Sequence, residues 1–312
     1  MYNALIGSLE AGLIFSIMAL GVYLTFRILD FPDLTVDGSF TTGGAVAAAM
    51  ITSGLSPLLS TVTAIVIGCL AGVFTGILHT KGKINALLAG ILTAIALYSI
   101  NLRIMGKANI PLLNQETILS QMNALSQSLF STESFAILIG IGVLVLLAKL
   151  FIDWFLRTEI GLCIRATGNN PRMIRSFSVN TDNMIILGLA ISNGFVALGG
   201  ALWAQYQGFA DISMGIGTII VALASVIIGE VLFGSRSIAV ATLAAIGGAI
   251  VYRIVVAIAL RVGLNPSDMK LMTASIVILA LIAPKLIAII RKKRKKKYRS
   301  VISNVNSKME AK

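Results

Sequence analysis

Long apolar runs limit the possible folds of this chain more than any other feature. Several runs reach about 20 residues, the length at which an α-helix crosses a hydrocarbon core of about 30 Å. Only 12% of the 312 residues are charged, roughly half of the share that is usual in soluble domains. Because a bilayer offers no hydrogen-bond partners, the spans are predicted to be helices, and the short alternating segments of a β-barrel are not seen. We therefore expect an all-α polytopic membrane protein.

The apolar runs predict about nine transmembrane helices. They fall roughly at residues 4–26, 38–54, 58–79, 84–105, 134–155, 182–204, 217–233, 238–259 and 269–290. With the carboxyl terminus placed inside, the basic residues of the connecting segments divide eight inside and four outside, which favours an outside amino terminus. The segment 106–133 is outside by this count, and its amides and spaced leucines predict an amphipathic helix at the outer face.

A run of eight basic residues, RKKRKKKYR, follows the last predicted span at 291–299. A nucleic-acid-binding tail has a similar composition, but after a membrane helix a cytoplasmic stop that contacts anionic lipids is favoured. The polar residues 301–312 are predicted to form a disordered cytoplasmic tail. The first 24 residues lack a basic region, which argues against a cleavable signal peptide.

Residues for catalysis or metal binding are scarce. The two cysteines, Cys69 and Cys163, are interpreted as free thiols, and one histidine, His79, cannot form a His-based metal cluster. The sequence contains no G-x-x-x-x-G-K-[ST] phosphate loop, no H-E-x-x-H and no cysteine-pair metal motif. We therefore expect a protein that is not an enzyme, with no metal, no cofactor and no nucleotide site of its own.

The most unusual stretch near the membrane is DFPDLTVDGSFTTGG at 30–44, with three aspartates within eight residues. Proline and glycine loosen a helix, and irregular backbone at membrane depth is tolerated only inside protein or beside a cavity. One interpretation is a broken helix on a translocation path that Asp33, Thr35, Asp37 and Ser39 line. The other is a plain cytoplasmic turn in which Asp37 caps the following helix. The residues alone leave both open.

A weak internal repeat relates FPDLTV at 31–36 to FADISM at 209–214. Five predicted spans separate the copies, so they would point in opposite directions, as the inverted repeats of transporters do. We therefore predict one transmembrane domain, 1–300, in two pseudo-repeated halves at roughly 1–156 and 182–290. The repeat adds Asp211 and Ser213 to the candidate path residues, although a six-residue match can arise by chance.

Charged residues stand inside several predicted spans, among them Glu230 and Arg253. Charge within a membrane is costly and often functional. Glu230, near the inner end of its span, is expected to pair with Arg236 or another basic residue. Arg253 lies deeper and is expected to have an acidic or carbonyl partner. For both, a structural pair is at least as plausible as a contact with a solute.

A basic segment, RTEIGLCIRATGNNPRMIRSFSVNT at 157–181, separates two apolar runs. We predict a turn at 168–171 and then a short helix, since proline suits the first helical turn. Such a helix could dock on a cytoplasmic partner or could only anchor the segment at the membrane interface. Its apolar residues are predicted to share one face beside two arginines: Met173, Ile174, Phe177, Arg172 and Arg175.

The pattern RTE-x-G-x-x-x-RA-x-G-x-NP at 157–171 resembles the cytoplasmic loop of ABC-importer permeases that serve branched-chain amino acids, ribose and related solutes. FPDLTVDGSFTTGGAVAA at 31–48 is similar to the glycine-rich segment after the first long span of that family. GFADISMGIGTIIVALASVIIGE at 208–230 is similar to its counterpart in the second half. The resemblance extends along most of the chain. Within the family, the sequence looks closest to permeases proposed to import aromatic amino acids such as tryptophan or tyrosine.

This resemblance implies a multi-pass permease subunit of the bacterial cytoplasmic membrane. Two permease subunits, identical or paralogous, would enclose one path, with an extracytoplasmic solute-binding protein above them and no nucleic acid as partner. Cytoplasmic ATP-binding subunits would bind the ATP. Many members of the family carry an acidic residue or alanine where Arg172 stands, which bears on which ATPase docks. The coupling helix and the residues leading into it would be Gly168, Asn169, Asn170, Pro171, Arg172, Met173, Ile174, Arg175 and Phe177.

The resemblance therefore implies that the chain moves a small solute, such as an amino acid, and that a separate ATPase drives it. The alternative is a secondary transporter coupled to protons or sodium, with an ion site built from carboxylates. In that case, amide replacements at Asp33, Asp37, Asp211 or Glu230 would abolish transport. A membrane scaffold that moves no solute is a third possibility, in which the basic segments serve only as docks.

Overall fold

A computed structural model of the protein describes residues 2–127, 133–262, 271–279 and 282. A π-helical turn, Tyr23–Ile28, continues the first helix, and residues 271–279 are also helical. The remaining elements, in chain order, are α1 (Tyr2–Val22), α2 (Thr35–Thr52), α3 (Pro57–Thr80), α4 (Ala86–Met105), β1 (Asn109–Pro111), α5 (Ile118–Gln127), α6 (Glu133–Phe155), α7 (Glu159–Asn169), α8 (Pro171–Ser176), α9 (Thr181–Gln207), β2 (Phe209–Asp211), α10 (Thr218–Phe233) and α11 (Ile238–Arg261).

Within the described ranges, six helical stretches are long and apolar enough to cross a bilayer. The all-α polytopic class is therefore confirmed, whereas nine spans are not. The predicted spans 38–54 and 217–233 correspond to the shorter helices α2 and α10, and most of 269–290 lies outside the described residues. The six stretches are Ile6–Ile28, Pro57–Thr80, Ala86–Met105, Ile137–Phe155, Thr181–Gln207 and Ile238–Arg261.

Helix α2 is short and rich in hydroxyl groups because it lies inside the bundle. It packs between α3, α4 and α9. Most of its residues are buried, and the Thr42 hydroxyl donates a hydrogen bond of 2.9 Å to the Gly38 carbonyl one turn earlier. A hydroxyl bonded in this way can be buried without an unpaired polar group. A helix that protein surrounds does not need the hydrophobicity of one that faces lipid.

A two-stranded antiparallel ribbon interrupts the helical fold, and the sequence reading did not predict it. β1 follows α4 and β2 follows α9, with Ile110 opposite Ala210. Each strand has only three residues, so neither shows a period-two pattern that a reading of the sequence could detect. The ribbon joins the two halves of the chain at one end of the molecule, which we call the strand end. The opposite end carries α7 and α8, which together we call the elbow.

Glycine lets α9 approach its neighbours closely. A Cβ at Gly72 of α3 would lie 2.2 Å from the Leu189 carbonyl oxygen, and a Cβ at Gly200 of α9 would lie 1.9 Å from that of Phe40. Contacts of this kind need small residues, as is usual between helices in membranes. These close approaches hold α9 against α2 and α3.

The contacts of α9 also give the depth of the segment that precedes α2. Asp33 accepts a hydrogen bond of 2.7 Å from the Asn193 side chain. Asn193 is the thirteenth of the 27 residues of α9. At 1.5 Å per residue, it lies about 18 Å from the first residue of the helix and about 21 Å from the last. Asp33 is therefore near the middle of the bundle, rather than in a turn at its surface.

Two predicted connections are helical in the described residues. The amphipathic helix predicted within 106–133 is present as α5, which begins at Ile118. The basic segment was predicted to hold one short helix, but α7 is an additional helix of 11 residues before it. The predicted tail, 301–312, lies outside the described residues, and so does the basic run 291–299.

Candidate functional site

Side-chain caps fix both helices of the elbow. The Gly161 amide donates to Thr158 Oγ1 at 3.2 Å at the start of α7, and the Met173 amide donates to Asn170 Oδ1 at 3.1 Å at the start of α8. Pro171 occupies the first turn of α8, where the absence of its N–H has no cost. The short helix predicted from the proline is confirmed. The turn in the structure is narrower than the predicted turn at 168–171, because Gly168 lies inside α7.

The sequence predicted that the apolar residues of α8 share one face, but in the structure they do not. Ile174 is 7% exposed and faces the bundle, whereas Met173 and Phe177 are 46% and 70% exposed. The helix ends at Ser176, so Phe177 leaves the helical register that the spacing argument assumed. The elbow thus presents Met173 and Phe177 outward, with Ile174 as its anchor. The assignment of this segment to an ATPase contact stays a prediction.

Besides Ile174, a polar contact and a close glycine contact fix the elbow to the rest of the chain. Arg175 donates from Nε to Thr181 Oγ1 at 2.8 Å and lies 3.5 Å from Asp182, which ties α8 to the start of α9. Gly168 packs so closely against the π-helical turn that an added Cβ would lie 2.1 Å from the Ile28 carbonyl oxygen. A polar groove of about 670 Å³ runs between this turn and α7.

An ion pair links the π-helical turn to α10. Arg27 donates to both carboxylate oxygens of Glu230, at 2.7 and 2.9 Å. The expected partner of Glu230 was Arg236 or another basic residue, and the partner is Arg27, which comes from the other half of the chain. Arg236 lies in the connection after α10 and is exposed. Bidentate geometry makes this pair more specific than a single contact.

The first-half path candidates form a closed polar network. Asn193 donates to Asp33 Oδ2 at 2.7 Å, and its own Oδ1 accepts from Ser39 at 2.7 Å. The Thr35 amide donates to Asp33 Oδ1 at 2.9 Å, and its hydroxyl lies 2.7 Å from that of Thr75. Asp33 is 3% exposed. The network joins α2, α3 and α9 and is buried among them.

Asp37 caps a distant helix instead of its own. Its carboxylate accepts from the amides of Gly217 and Ile219 at 2.9 and 2.8 Å, and from the Thr218 hydroxyl at 3.1 Å. Gly217, the N-cap residue of α10, adopts a left-handed φ of 86° and has no capping side chain. Asp37 therefore supplies both the acceptor and the negative charge that a helix N-terminus favours.

The second-half candidates lie at the strand end. The Ser213 amide donates to Asp211 Oδ1 at 2.8 Å, and Asn109 Nδ2 donates to Asp211 Oδ2 at 3.4 Å. Partial burial opposes ionisation, but these hydrogen bonds outweigh it, so the pKa of Asp211 lies below its ordinary value. Thus the structure brings Asp33, Thr35 and Ser39 together but leaves Asp211 and Ser213 apart from them. Whether any of the six lines the translocation path stays a prediction.

Asp37 also borders a cavity of about 510 Å³ between α2, α4 and the segment after β2. Its walls are mostly apolar and include Tyr98, Ile212 and Ile216. Asn101 lies in the wall, fully buried, and neither polar atom of its amide has a hydrogen-bond partner in the described part of the chain. The cavity has the size of a small-molecule site.

A buried ion pair within α6 escaped the sequence reading. Lys149 pairs with Asp153 one turn later, and Asp153 also accepts from Thr242 of α11 at 2.8 Å. The available signal was a lysine and an aspartate four residues apart inside an apolar run. The pair is neutral overall and connects α6 to α11.

Comparison with known proteins places the chain in a described family. The family model for the permease component of branched-chain amino acid transport systems matches residues 4–282. A tyrosine transport system permease protein of Clostridioides difficile is 43% identical over 308 residues, which is 99% of each chain. An uncharacterized protein of Rickettsia prowazekii is 36% identical, over 89% of this chain and 97% of its own length.

A more distant relative is the autoinducer 2 import system permease protein of Escherichia coli. It is 30% identical over 233 residues, which covers 73% of this chain and 65% of the relative. No solved structure showed a significant match to the chain.

Proposed function

The chain belongs to the family of permease components of branched-chain amino acid transport systems, and on that premise we propose that it carries an aromatic amino acid through an ATP-driven importer. It is a permease of an ABC-type import system and a multi-pass membrane protein. Support for the solute class comes from the tyrosine permease of Clostridioides difficile, to which the similarity extends over 99% of both chains.

The exposed apolar surface of the elbow is the observation that carries the proposal. Capping by Asn170, together with anchoring through Ile174 and Arg175, holds α8 in one orientation. Met173 and Phe177 project from this fixed support, and large side chains of these types are common at protein contacts. We therefore propose that a cytoplasmic ATP-binding subunit receives these two side chains in a groove.

The contacts behind the elbow offer a route by which ATPase movement reaches the cavity. Gly168 of the elbow packs on the π-helical turn, and Arg27 of that turn holds Glu230 near the end of α10. The other end of α10 is held by Asp37, which borders the cavity. A shift of the elbow would therefore bias the position of α10, provided that the ATPase contacts the two states differently.

The transport cycle follows from this arrangement as a proposal. Closure of the ATPase dimer would draw the elbows of two permease subunits together and open the path toward the strand end, where a solute-binding protein delivers its cargo. Hydrolysis would release the elbows and let the solute leave on the cytoplasmic side. Within each chain, the backbone would adjust to this movement at the start of α10, which lies in mid-bundle.

Co-purification with the ATP-binding subunit tests the elbow assignment. The protein would be isolated in detergent together with its co-expressed ATPase, as wild type and as the double variant Met173→Ser, Phe177→Ser. The ATPase should remain bound to wild type and be lost from the variant. Leu113→Ser, which removes an exposed apolar side chain from the strand end, is the matched control and should retain the ATPase.

Retention of the ATPase by the double variant would contradict the elbow assignment. Loss of the ATPase is informative only if the variant stays folded, and equal melting temperatures for the three proteins establish that. Because both side chains point away from the bundle, their removal is expected to leave the melting temperature unchanged within about 1 °C.

A further inference from the structure

Arg253 is a half-buried arginine in the apolar helix α11, and its Nε is fully buried. Its guanidinium lies over the ring of Phe15, with Cζ 3.7 Å from the ring centroid, and 5.0 Å from the centroid of Trp203. These rings come from α1 and α9, so three helices meet at the guanidinium. Cation–π contacts of this kind are stabilising, and more so when they are desolvated.

The expected acidic or carbonyl partner of Arg253 is absent from the described residues. No hydrogen bond or ion pair of Arg253 occurs there, and its Nε is buried without an acceptor. The acid near this cluster, Glu10, is already bonded by the Tyr206 hydroxyl at 3.0 Å. A charge withdrawn from water without an ionic partner destabilises a protein. The contacts with the aromatic rings offset only part of this destabilisation. A role in stability alone therefore does not explain why an arginine stands at position 253.

Arg253 lines a cavity that could hold the partner of its guanidinium. This cavity, of about 370 Å³, lies between α1, the start of α10, α11 and residues 273–274. Tyr252 and Thr218 contribute polar groups to walls that are otherwise mostly apolar. The N-terminus of α10 also borders the cavity, but Asp37 already occupies its amides. Arg253 is therefore the one positive group on the described walls whose charge is unbalanced.

We propose that Arg253 is the contact for the carboxylate of an amino acid that passes through this cavity. The inference rests on the proposed function, since it names the group by which the importer's solute is held. A guanidinium can bind a carboxylate through two parallel N–H···O bonds, which is the most specific contact available between these groups. The neighbouring rings of Phe15 and Tyr252 would lie beside an aromatic side chain.

The protein contains a reporter for this contact. Of its two tryptophans, Trp203 lies beside Arg253, and Trp154 is exposed on the bundle surface. The variant Trp154→Phe therefore leaves one tryptophan whose emission responds to changes at the guanidinium. The purified variant would be titrated in lipid nanodiscs with tyrosine, with 4-hydroxyphenylpropionate, which lacks the ammonium group, and with tyramine, which lacks the carboxylate.

Both carboxylate-bearing probes should change Trp203 emission at concentrations about tenfold lower than tyramine, since hydrogen bonds to charged groups contribute at least that factor. Arg253→Met should abolish this preference, and Arg253→Lys should keep part of it. Arg103→Met, which removes an exposed arginine from the end of α4, is the matched control and should leave the preference intact.

A purely structural role for Arg253 makes a different prediction. If the cation only holds the rings together, Arg253→Met should lower the melting temperature. If the cation serves the solute, removal of an unpaired charge should leave the melting temperature unchanged or raise it. A lower melting temperature together with a retained carboxylate preference would overturn the proposal.

Equal responses to tyrosine and tyramine, or no response to any carboxylate probe at concentrations that support uptake, would also overturn it. Uptake by the complete transporter separates this outcome from failure of the proposed function. If Arg253→Met takes up tyrosine as wild type does, the carboxylate contact is wrong and the importer stands. If wild type takes up no amino acid, the importer proposal fails, and the probe titration still decides whether Arg253 binds carboxylates.

Discussion

Asp33 and Asp211 occupy matching places in FPDLTV and FADISM, the first and second copies of the predicted repeat, and make the same local turn. Each accepts a hydrogen bond from the amide two residues later, Thr35 for the first and Ser213 for the second. Their second oxygens differ. That of Asp33 binds Asn193 at 2.7 Å inside the bundle, whereas that of Asp211 binds Asn109 at 3.4 Å at the strand end.

The comparison shows that residue order determines the turn, while the neighbouring helices determine its role. The first copy leads directly into α2 near the middle of the bundle. The second copy continues for several residues before α10 begins, and Asp37 from the first half caps that helix. Removing each aspartate should therefore have effects of quite different size.

The largest effect is expected from Asp33→Ala. This change removes one of the two acceptors of the buried Asn193 amide, which keeps its bond to the Leu189 carbonyl, and also removes the acceptor for the Thr35 amide. Each buried polar group left unpaired destabilises a protein by about 1–3 kcal/mol, so the free energy of unfolding should fall by about 3 kcal/mol. Denaturant unfolding in detergent, followed by Trp203 fluorescence, measures the loss. A loss below about 1 kcal/mol would contradict the network.

Asp33→Asn is the matched control for that prediction. The asparagine side chain can still accept from Thr35, and a flipped Asn193 amide can accept from it while donating to Ser39, although the flip loses the bond from Asn193 to the Leu189 carbonyl. Part of the lost stability should therefore return, and uptake should continue. An ion-coupled transporter with its ion site at Asp33 predicts the opposite, because the amide cannot take up and release a proton or bind a cation as a carboxylate does.

An intermediate effect is expected from Asp37→Ala, which removes the cap of α10. Loss of a capping side chain destabilises a protein by about 0.5–2 kcal/mol, and the Gly217 and Ile219 amides have no other acceptor on their own helix. Hydrogen exchange measured by mass spectrometry should show faster exchange in the first turn of α10 and no change in α3. Equal protection of both helices before and after the change would contradict the capping role.

The smallest effect is expected from Asp211→Ala, at less than about 1 kcal/mol, since the turn is partly solvated. The lowered pKa of Asp211 determines how the difference in stability between the variant and wild type changes with pH. The stabilisation is present above the unfolded pKa of about 3.9 and is lost as pH falls through the folded value. Unfolding curves of the variant and wild type should therefore differ at pH 6 and converge in strong acid. A difference that grows with acid would refute the assignment.

The sequence predicted the features that a recurring pattern or the chemistry of neighbouring residues encodes. Apolar runs of membrane length predicted the long helices, and Pro171 after two asparagines predicted the start of α8. The ribbon could not be predicted, because β1 and β2 are three residues long and their pairing joins distant parts of the chain. Likewise, nothing in the local sequence of Gly217 indicates that its capping acid is Asp37.

The candidate site likewise combines features that the sequence predicted with features that it could not predict. The identity of the elbow segment was predictable from its basic, proline-started pattern, but the outward direction of Met173 and the burial of Ile174 depend on how α8 lies against α9. Charged residues in spans pointed to Glu230 and Arg253, yet neither environment followed from spacing. Glu230 reaches Arg27 across the two halves, and Arg253 is surrounded by rings from two other helices.

The central claim is that ATP hydrolysis by a partner drives uptake through the elbow. Its most direct test is uptake of labelled tyrosine by proteoliposomes that contain the protein, its ATPase and its solute-binding protein. The account predicts uptake that requires ATP, persists when proton and sodium gradients are collapsed, and is lost in Met173→Ser, Phe177→Ser but not in Leu113→Ser. Uptake that proceeds without ATP and follows a proton or sodium gradient would contradict the account.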